Sequence, residues 1–259
     1  MRSKTALQER DPPRLSAAGL VLGVSLGGFF DGILLHQILQ WHHLLSAIRP
    51  QDARFQVAAD GYFHALMYLV AGAGLWMLWR AQRRSAGSSG RSLAASLLAG
   101  FGAWNVADIV LFHWLAGIHR VRLDVPDPLF WDLGWLAVFA LAPLAAAWAL
   151  ARSGGAPPRA GGAMAASIAA LLTVGAGAAS LRPADGDTTA VLFRPGTSQA
   201  AVMNALVGQG ARLVWMDASG ELVIVQLDEP ARAPAFYRDG AILVTGAGGA
   251  GGCLSYLKT

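Results

Sequence analysis

Five apolar stretches of the chain are each long enough to cross the hydrocarbon core of a bilayer, for which about 20 helical residues suffice. They cover approximately residues 15–45, 57–79, 93–118, 129–151 and 162–181. Only 14% of the residues are charged and 54% are hydrophobic, whereas a soluble domain carries about 25% charged residues. The sequence therefore predicts a mainly α-helical fold, a polytopic bundle of about five transmembrane helices.

A different pattern begins after the fifth apolar stretch. Strand-like runs at 190–193, 212–215, 221–227 and 241–244 are interleaved with helical stretches at 198–207 and 231–237. This order of strand, helix, strand, strand, helix and strand predicts a small ferredoxin-like α+β domain. The glycine-rich residues 246–252 lack the lysine of a phosphate-binding loop, so we interpret them as a flexible tail.

These patterns divide the chain into five parts. We expect a cytoplasmic segment at 1–14, a four-helix core with a His/Asp cluster at 15–151, a cytoplasmic linker at 152–161, a fifth helix at 162–181 and a periplasmic domain at 182–259. No internal repeat is evident between these parts.

Lysine and arginine are distributed unequally between the loops. Most lie before the first helix, between the second and third, and between the fourth and fifth. The opposite loops hold only Arg49, Arg54, Arg120 and Arg122. The positive-inside rule then places the N-terminus in the cytoplasm, and an odd number of crossings places the C-terminal domain outside.

Composition also limits the partners. The sequence pI is about 9.7, but the arginines form short clusters beside apolar runs, which does not suit a nucleic-acid surface. The single cysteine, Cys253, excludes an internal disulfide and a thiolate metal cluster. We expect the lipid bilayer as the main partner, with the C-terminal domain available to a membrane or periplasmic protein.

Ionisable residues gather in the outer halves of the predicted helices. His36, His64 and His113 lie on three helices at roughly 8 to 12 Å below the outer interface, at ~1.5 Å per helical residue. Asp31 and Asp108 lie deeper, at about 15 to 18 Å by the same rise. Charged groups at such depth need partners. His42, His43, Asp60, His119 and Asp132 are expected near the surface.

These residues predict a transition-metal site. Asp60 shares a helical face with His64, and His36 shares one with His43. Asp31 is about 140° from His36 in an ideal α-helix, so both cannot point at one small ion. The predicted ligands are His36, His64 and His113 with Asp31, Asp60, Asp108 and His43. His42 and His119 are expected to be peripheral.

The ligand types suggest which metal binds. Imidazole suits copper, zinc and iron, and a carboxylate that accepts the other ring N–H orients the imidazole. Haem ligated by two histidines, or a proton path through the deep aspartates, is an alternative. A further alternative is that these polar residues only hydrogen-bond the helices together.

The histidine-containing segments also carry a resemblance. Residues 31–43, DGILLHQILQWHH, followed by Asp60, His64, Asn105, His113 and 117–122, resemble the bacterial membrane family DUF2243, a domain of unknown function. The resemblance covers roughly residues 15–150. It implies a multi-pass bacterial inner-membrane protein with a histidine-rich signature, and it brings no established activity. The fifth helix and the C-terminal domain lie outside it.

Besides haem binding or proton conduction, two classes of function follow from these expectations. The first is a protein that binds a transition metal near the periplasmic face, in metal handling or in the assembly of redox enzymes. The second is a membrane-embedded hydrolase in which a bound metal activates water and Asp31 or Asp108 acts as the base.

Overall fold

A computed structural model of the chain describes residues 16–39, 41–49, 52–84, 89–153, 161–180 and 188–246. Within these ranges, five helices are long and apolar enough to cross a membrane. They are α1 (Ala17–Ile38), α2 (Ala53–Arg83), α3 (Gly90–Leu115), α4 (Pro128–Arg152) and α5 (Gly161–Ser180). The predicted five-helix bundle is confirmed. The segment 1–14, most of the linker 152–161 and nearly all of the glycine-rich tail lie outside the described residues.

The first helix ends earlier than its apolar pattern predicts. Its last turn, Gly32–Ile38, is π-helical, and the backbone N–H of Leu39 donates to the carbonyl of Leu34. After this turn the helix stops and a loop begins. His43 therefore lies in the loop, and the prediction that it shares a helical face with His36 is wrong.

Two glycines form the contact between α1 and α3, which pack together at the centre of the bundle. A Cβ atom on Gly23 would collide with the carbonyl oxygen of Leu97, and one on Gly100 would collide with that of Leu20. Small residues allow helix backbones in a membrane to approach this closely. Around the central pair, α2 packs on α1 and α4 packs on α3.

Helices α1 and α3, each with the loop that follows it, repeat one pattern of residues. Between residues 17 and 42, eight positions carry the same residue 77 positions later. They are Ala17, Ala18, Leu20, Gly23, Asp31, Leu34, His36 and His42. The structure repeats as well, because α3 also ends in a π-helical turn, Asp108–Leu115. The expectation of no internal repeat is wrong. The repeat is not evident at first because it consists of a few identical residues at matching positions within generally apolar helices.

The C-terminal region contains a four-stranded antiparallel sheet. In chain order it comprises β1 (Thr188–Phe193), α6 (Gln199–Gly208), β2 (Ala211–Met216), β3 (Leu222–Leu227), a 3-10 helix (Pro230–Tyr237) and β4 (Ala241–Gly246). The strands lie in the order β2-β3-β1-β4, which is the ferredoxin-like arrangement that the sequence predicted. The second predicted helix is a 3-10 helix, in which Pro234 cannot donate a backbone hydrogen bond.

The sheet is covered on both faces. One face packs on α6 and the 3-10 helix through a core that includes Phe193, Leu206 and Phe236. The other face packs against the first residues of α2, with Leu192 and Ile224 in one cluster with Val57. The sheet domain thus lies at the end of the bundle where α2 begins and where α1 and α3 terminate.

Candidate metal centre

Two equivalent sets of three side chains lie at the ends of α1 and α3. The first triad is Asp31, His36 and His42, and the second triad is Asp108, His113 and His119; within each, the potential ligand atoms lie within 4.8 Å of one another. All six residues are at most 4% exposed.

The π-helical turns explain how each aspartate meets its first histidine. In both triads the histidine follows the aspartate by five residues, and a turn closed by i→i+5 hydrogen bonds brings such residues to one side of the helix. The predicted separation between Asp31 and His36 assumed regular α-helix. That prediction is wrong because the turn between them is wider.

Several buried polar atoms of the triads have no hydrogen-bond partner. They are the Nε2 atoms of His36, His42, His113 and His119, the Nδ1 atom of His36 and the Oδ1 atom of Asp31. A buried polar atom left unpaired costs about 1–3 kcal/mol, so native proteins rarely collect them in one place. Cations bound within the two triads would give these Nε2 and Oδ1 atoms a partner.

The other ring nitrogen of most of these histidines is already engaged. The Nδ1 atom of His113 donates to Asp132 Oδ1 at 2.8 Å, and that of His42 donates to the carbonyl of Val121 at 3.1 Å. His119 Nδ1 donates to the carbonyl of Leu44 at 2.9 Å. A hydrogen bond of this kind fixes the tautomer, leaving Nε2 unprotonated and able to bind a metal.

Asp60 stands beside His36 in the first half of the repeat. Its Oδ1 atom lies 3.2 Å from His36 Nδ1, at an angle outside hydrogen-bond geometry. It accepts hydrogen bonds from His43 Nδ1 at 2.5 Å and from the backbone of Leu44 at 2.9 Å. The structure therefore places Asp60 and His43, both predicted ligands, behind His36 rather than in a triad.

Asp132 has the matching position in the second half. Besides His113, it accepts from Trp114 Nε1, Arg120 Nη1 and the backbone of Val121. Val121 and Arg120 follow Leu44 and His43 by 77 residues, so these contacts repeat those of Asp60. Sequence reasoning placed Asp132 near the outer surface of the membrane and did not include it among the ligands. In the structure its side chain is fully buried within the protein.

Distances within the second triad suit a shared ion. Asp108 Oδ2 lies 3.1 Å from His113 Nε2, and Asp108 Oδ1 lies 3.3 Å from His119 Nε2. Atoms that bind one ion at ~2.0–2.2 Å are roughly 3.0–3.6 Å apart. Two histidines and one carboxylate are the ligands of many non-haem Fe(II) sites and, with glutamate, of some catalytic zinc sites.

The two triads adjoin through their histidine rings. His42 stacks on His119 with centroids 4.7 Å apart and an angle of 17° between the rings. His42 also lies 4.8 Å from His36 and 6.1 Å from His113. His42 and His119, which the sequence placed at the periphery, are therefore at the centre of the cluster. That expectation is wrong because the loops after α1 and α3 return into the bundle.

His64 takes a different position from the one predicted. Its Nδ1 atom donates to the carbonyl of Asp60 at 2.9 Å, and its Nε2 atom lies against Gly32. It belongs to neither triad. The predicted layer of His36, His64 and His113 thus does not form one set, although His42 links His36 to His113.

The two loop histidines lie beyond the helix ends, and burial controls their ionisation. Burial lowers the pKa of His42 well below its usual value, and the neighbouring His119 and His36 lower it further. Burial also lowers the pKa of His119, against the opposing effect of Asp108. Both imidazoles are therefore neutral at neutral pH, which is the form that binds metals.

A signal for the correct ligands was present in the sequence. Aspartate, histidine and histidine occur with intervals of five and six residues at 31, 36 and 42, and again at 108, 113 and 119. A comparison of the two segments by spacing would have selected all six residues.

A family model matches the part of the chain that holds the first four helices. The model of a family described as "Predicted membrane protein (DUF2243)" matches residues 18–154. This range contains both triads and ends before α5 and the sheet domain. No curated protein and no solved structure matches the chain.

Proposed function

We propose that the two triads of this chain bind a transition metal and that the protein is a membrane metalloprotein. The chain belongs to the DUF2243 family of predicted membrane proteins. The observation that supports metal binding most directly is the group of four buried Nε2 atoms without hydrogen-bond partners. The Nδ1 hydrogen bonds of His42, His113 and His119 add to it, because they orient Nε2 toward the centre.

The ligand set favours iron, zinc or copper. All candidate ligand atoms are imidazole nitrogens or carboxylate oxygens, and magnesium or calcium would prefer an all-oxygen site. Three protein ligands also leave positions open on a bound ion, so the metal can bind a further group or be transferred.

The position of the site suggests a role in metal handling or in the assembly of redox enzymes. Arginines are more numerous at the end of the bundle that holds Arg83 and Arg152 than at the end that holds the triads. We assign this end to the cytoplasm of a bacterium by the positive-inside rule. The triads then face the periplasm, and the sheet domain beside them can receive a protein partner.

Metal analysis of the purified protein tests the proposal. A chain without a polyhistidine tag is solubilised in detergent, and its metals are quantified by mass spectrometry. We expect at least about one ion per chain, lost in the double variant His42→Ala/His119→Ala. His64→Ala is the matched control, because His64 is a half-buried histidine outside the triads. Metal content well below one per chain, or unchanged in the double variant, would contradict the proposal.

A second function, hydrolysis of a lipid or amide, is favoured by an apolar pocket beside the site. The pocket has a volume of about 450 Å³, and Leu44, Phe63 and Ile118 contribute to its lining. The ring centroid of Phe63 lies 6.0 Å from that of His36. Metal-dependent release of fatty acid from phospholipid or N-acyl amide micelles would support this function, and its absence in metal-loaded protein would argue against it.

A further inference from the structure

The internal repeat extends to several contacts around the triads. The backbone of Leu44 donates to Asp60, and the backbone of Val121, 77 residues later, donates to Asp132. His42 donates to the carbonyl of Val121, while His119 donates to the carbonyl of Leu44. Each half of the molecule therefore contains a full ligand triad with its own supporting aspartate.

From this duplication we infer that the cluster is a dinuclear centre, with one metal ion in each triad. The inference rests on the proposed metal-binding function and specifies how many ions bind and where. Each ion would have two histidines and one aspartate from its own hairpin.

A single six-coordinate ion does not fit the arrangement. Opposite ligands of an octahedral ion with bonds of ~2.1–2.2 Å are roughly 4.2–4.4 Å apart. If one such ion bound all six ligand atoms, every pair of these atoms would lie within 4.8 Å. Among the described residues, the ligand atoms that meet this limit instead form two separate sets of three. The geometry therefore supports two ions more than one.

The two ions would nevertheless be neighbours. His42 of the first triad stacks on His119 of the second with ring centroids 4.7 Å apart, and its centroid lies 6.1 Å from that of His113. Two-metal sites typically hold their ions ~3.5–4 Å apart, where one small ligand can contact both.

The number of metal ions bound per chain distinguishes a dinuclear centre from a site for a single ion. Tag-free protein is stripped of metal and dialysed against Co²⁺, and bound cobalt is counted per chain. We expect about two ions in the unmodified chain and about one in either His36→Gln or His113→Gln, because each change removes a ligand from one triad only. Asp124→Asn, a change in an exposed loop, is the control and should retain about two. Size-exclusion chromatography and near-ultraviolet circular dichroism confirm that each variant is folded.

Electron paramagnetic resonance of the Cu²⁺-loaded protein tests whether the ions are adjacent. A half-field signal from paired copper ions is expected in the unmodified chain and should disappear in each single-triad variant. One ion per chain, lost in both folded variants, would overturn the dinuclear centre and leave metal binding intact. Two ions that show the full signal intensity of isolated Cu²⁺ and no half-field signal would overturn the shared centre. No bound metal would instead overturn the proposed function.

Discussion

Two aspartates lie behind the histidines of the triads. Asp132 is fully buried and accepts four hydrogen bonds, one of them from His113. Asp60 is less buried and lies 3.2 Å from His36 Nδ1. Carboxylates in this position increase the basicity of the imidazole and fix its orientation, so their effect is on affinity rather than on the number of ions bound.

Replacing these aspartates tests that distinction. We predict that Asp60→Asn and Asp132→Asn each weaken metal binding by about 10- to 100-fold, with the same number of ions at saturating metal. Competition titration with a metal indicator measures the affinity. A loss of bound ions at saturation would show that the aspartates are ligands themselves, and unchanged affinity would show that they do not support the histidines.

Four of the six triad residues were among the predicted ligands: Asp31, His36, Asp108 and His113. Their prediction needed only the cost of placing ionisable side chains inside a membrane helix. His42 and His119 could not be assigned in the same way. They follow the helices, and hydropathy does not reveal that the loops turn back and bury them.

At the scale of elements, the five helices were predictable because the bilayer requires long apolar segments. The π-helical turns were not, since an i→i+5 turn leaves no distinct hydropathy pattern. This single local difference changed which residues share a face on α1 and α3. The fold of the sheet domain was predictable from the order of its strands and turns, whereas its contact with α2 depends on tertiary packing.

The close crossing of α1 and α3 gives a prediction about stability. Gly23→Ala and Gly100→Ala should each destabilise the bundle by about 1–3 kcal/mol, because the new methyl group meets the backbone of the other helix. Thermal unfolding in detergent measures the effect. Gly72→Ala in α2 is the control, since nothing lies within 4 Å of an added Cβ atom there.

The control should be neutral or stabilising by up to about 1 kcal/mol, as expected for alanine replacing glycine in a helix. Equal stability of Gly23→Ala and Gly72→Ala would mean that α1 and α3 are not in close contact at this position.

At the scale of the whole molecule, orientation in the membrane can be tested with the single cysteine of the chain. Cys253 belongs to the C-terminal segment, which we place in the periplasm. In spheroplasts we predict that a membrane-impermeant maleimide labels the unmodified chain and fails to label Cys253→Ser. The combined variant Cys253→Ser/Ser153→Cys should be labelled only after permeabilisation, because Ser153 follows α4 beside Arg152. Labelling of Ser153→Cys but not of Cys253 in intact spheroplasts would reverse the proposed topology. Labelling of both positions would exclude it.

The hydrogen bonds of His42 and His119 cross from one hairpin to the other. Each hairpin supplies the carbonyl group that orients a histidine of its partner, through Val121 for His42 and through Leu44 for His119. A hairpin that folds alone, or that packs in a wrong register, therefore has all three of its triad residues but lacks the carbonyl group that orients one of them. Under the proposed function, assembly of both halves of the bundle would therefore complete the orientation of the ligands in each triad.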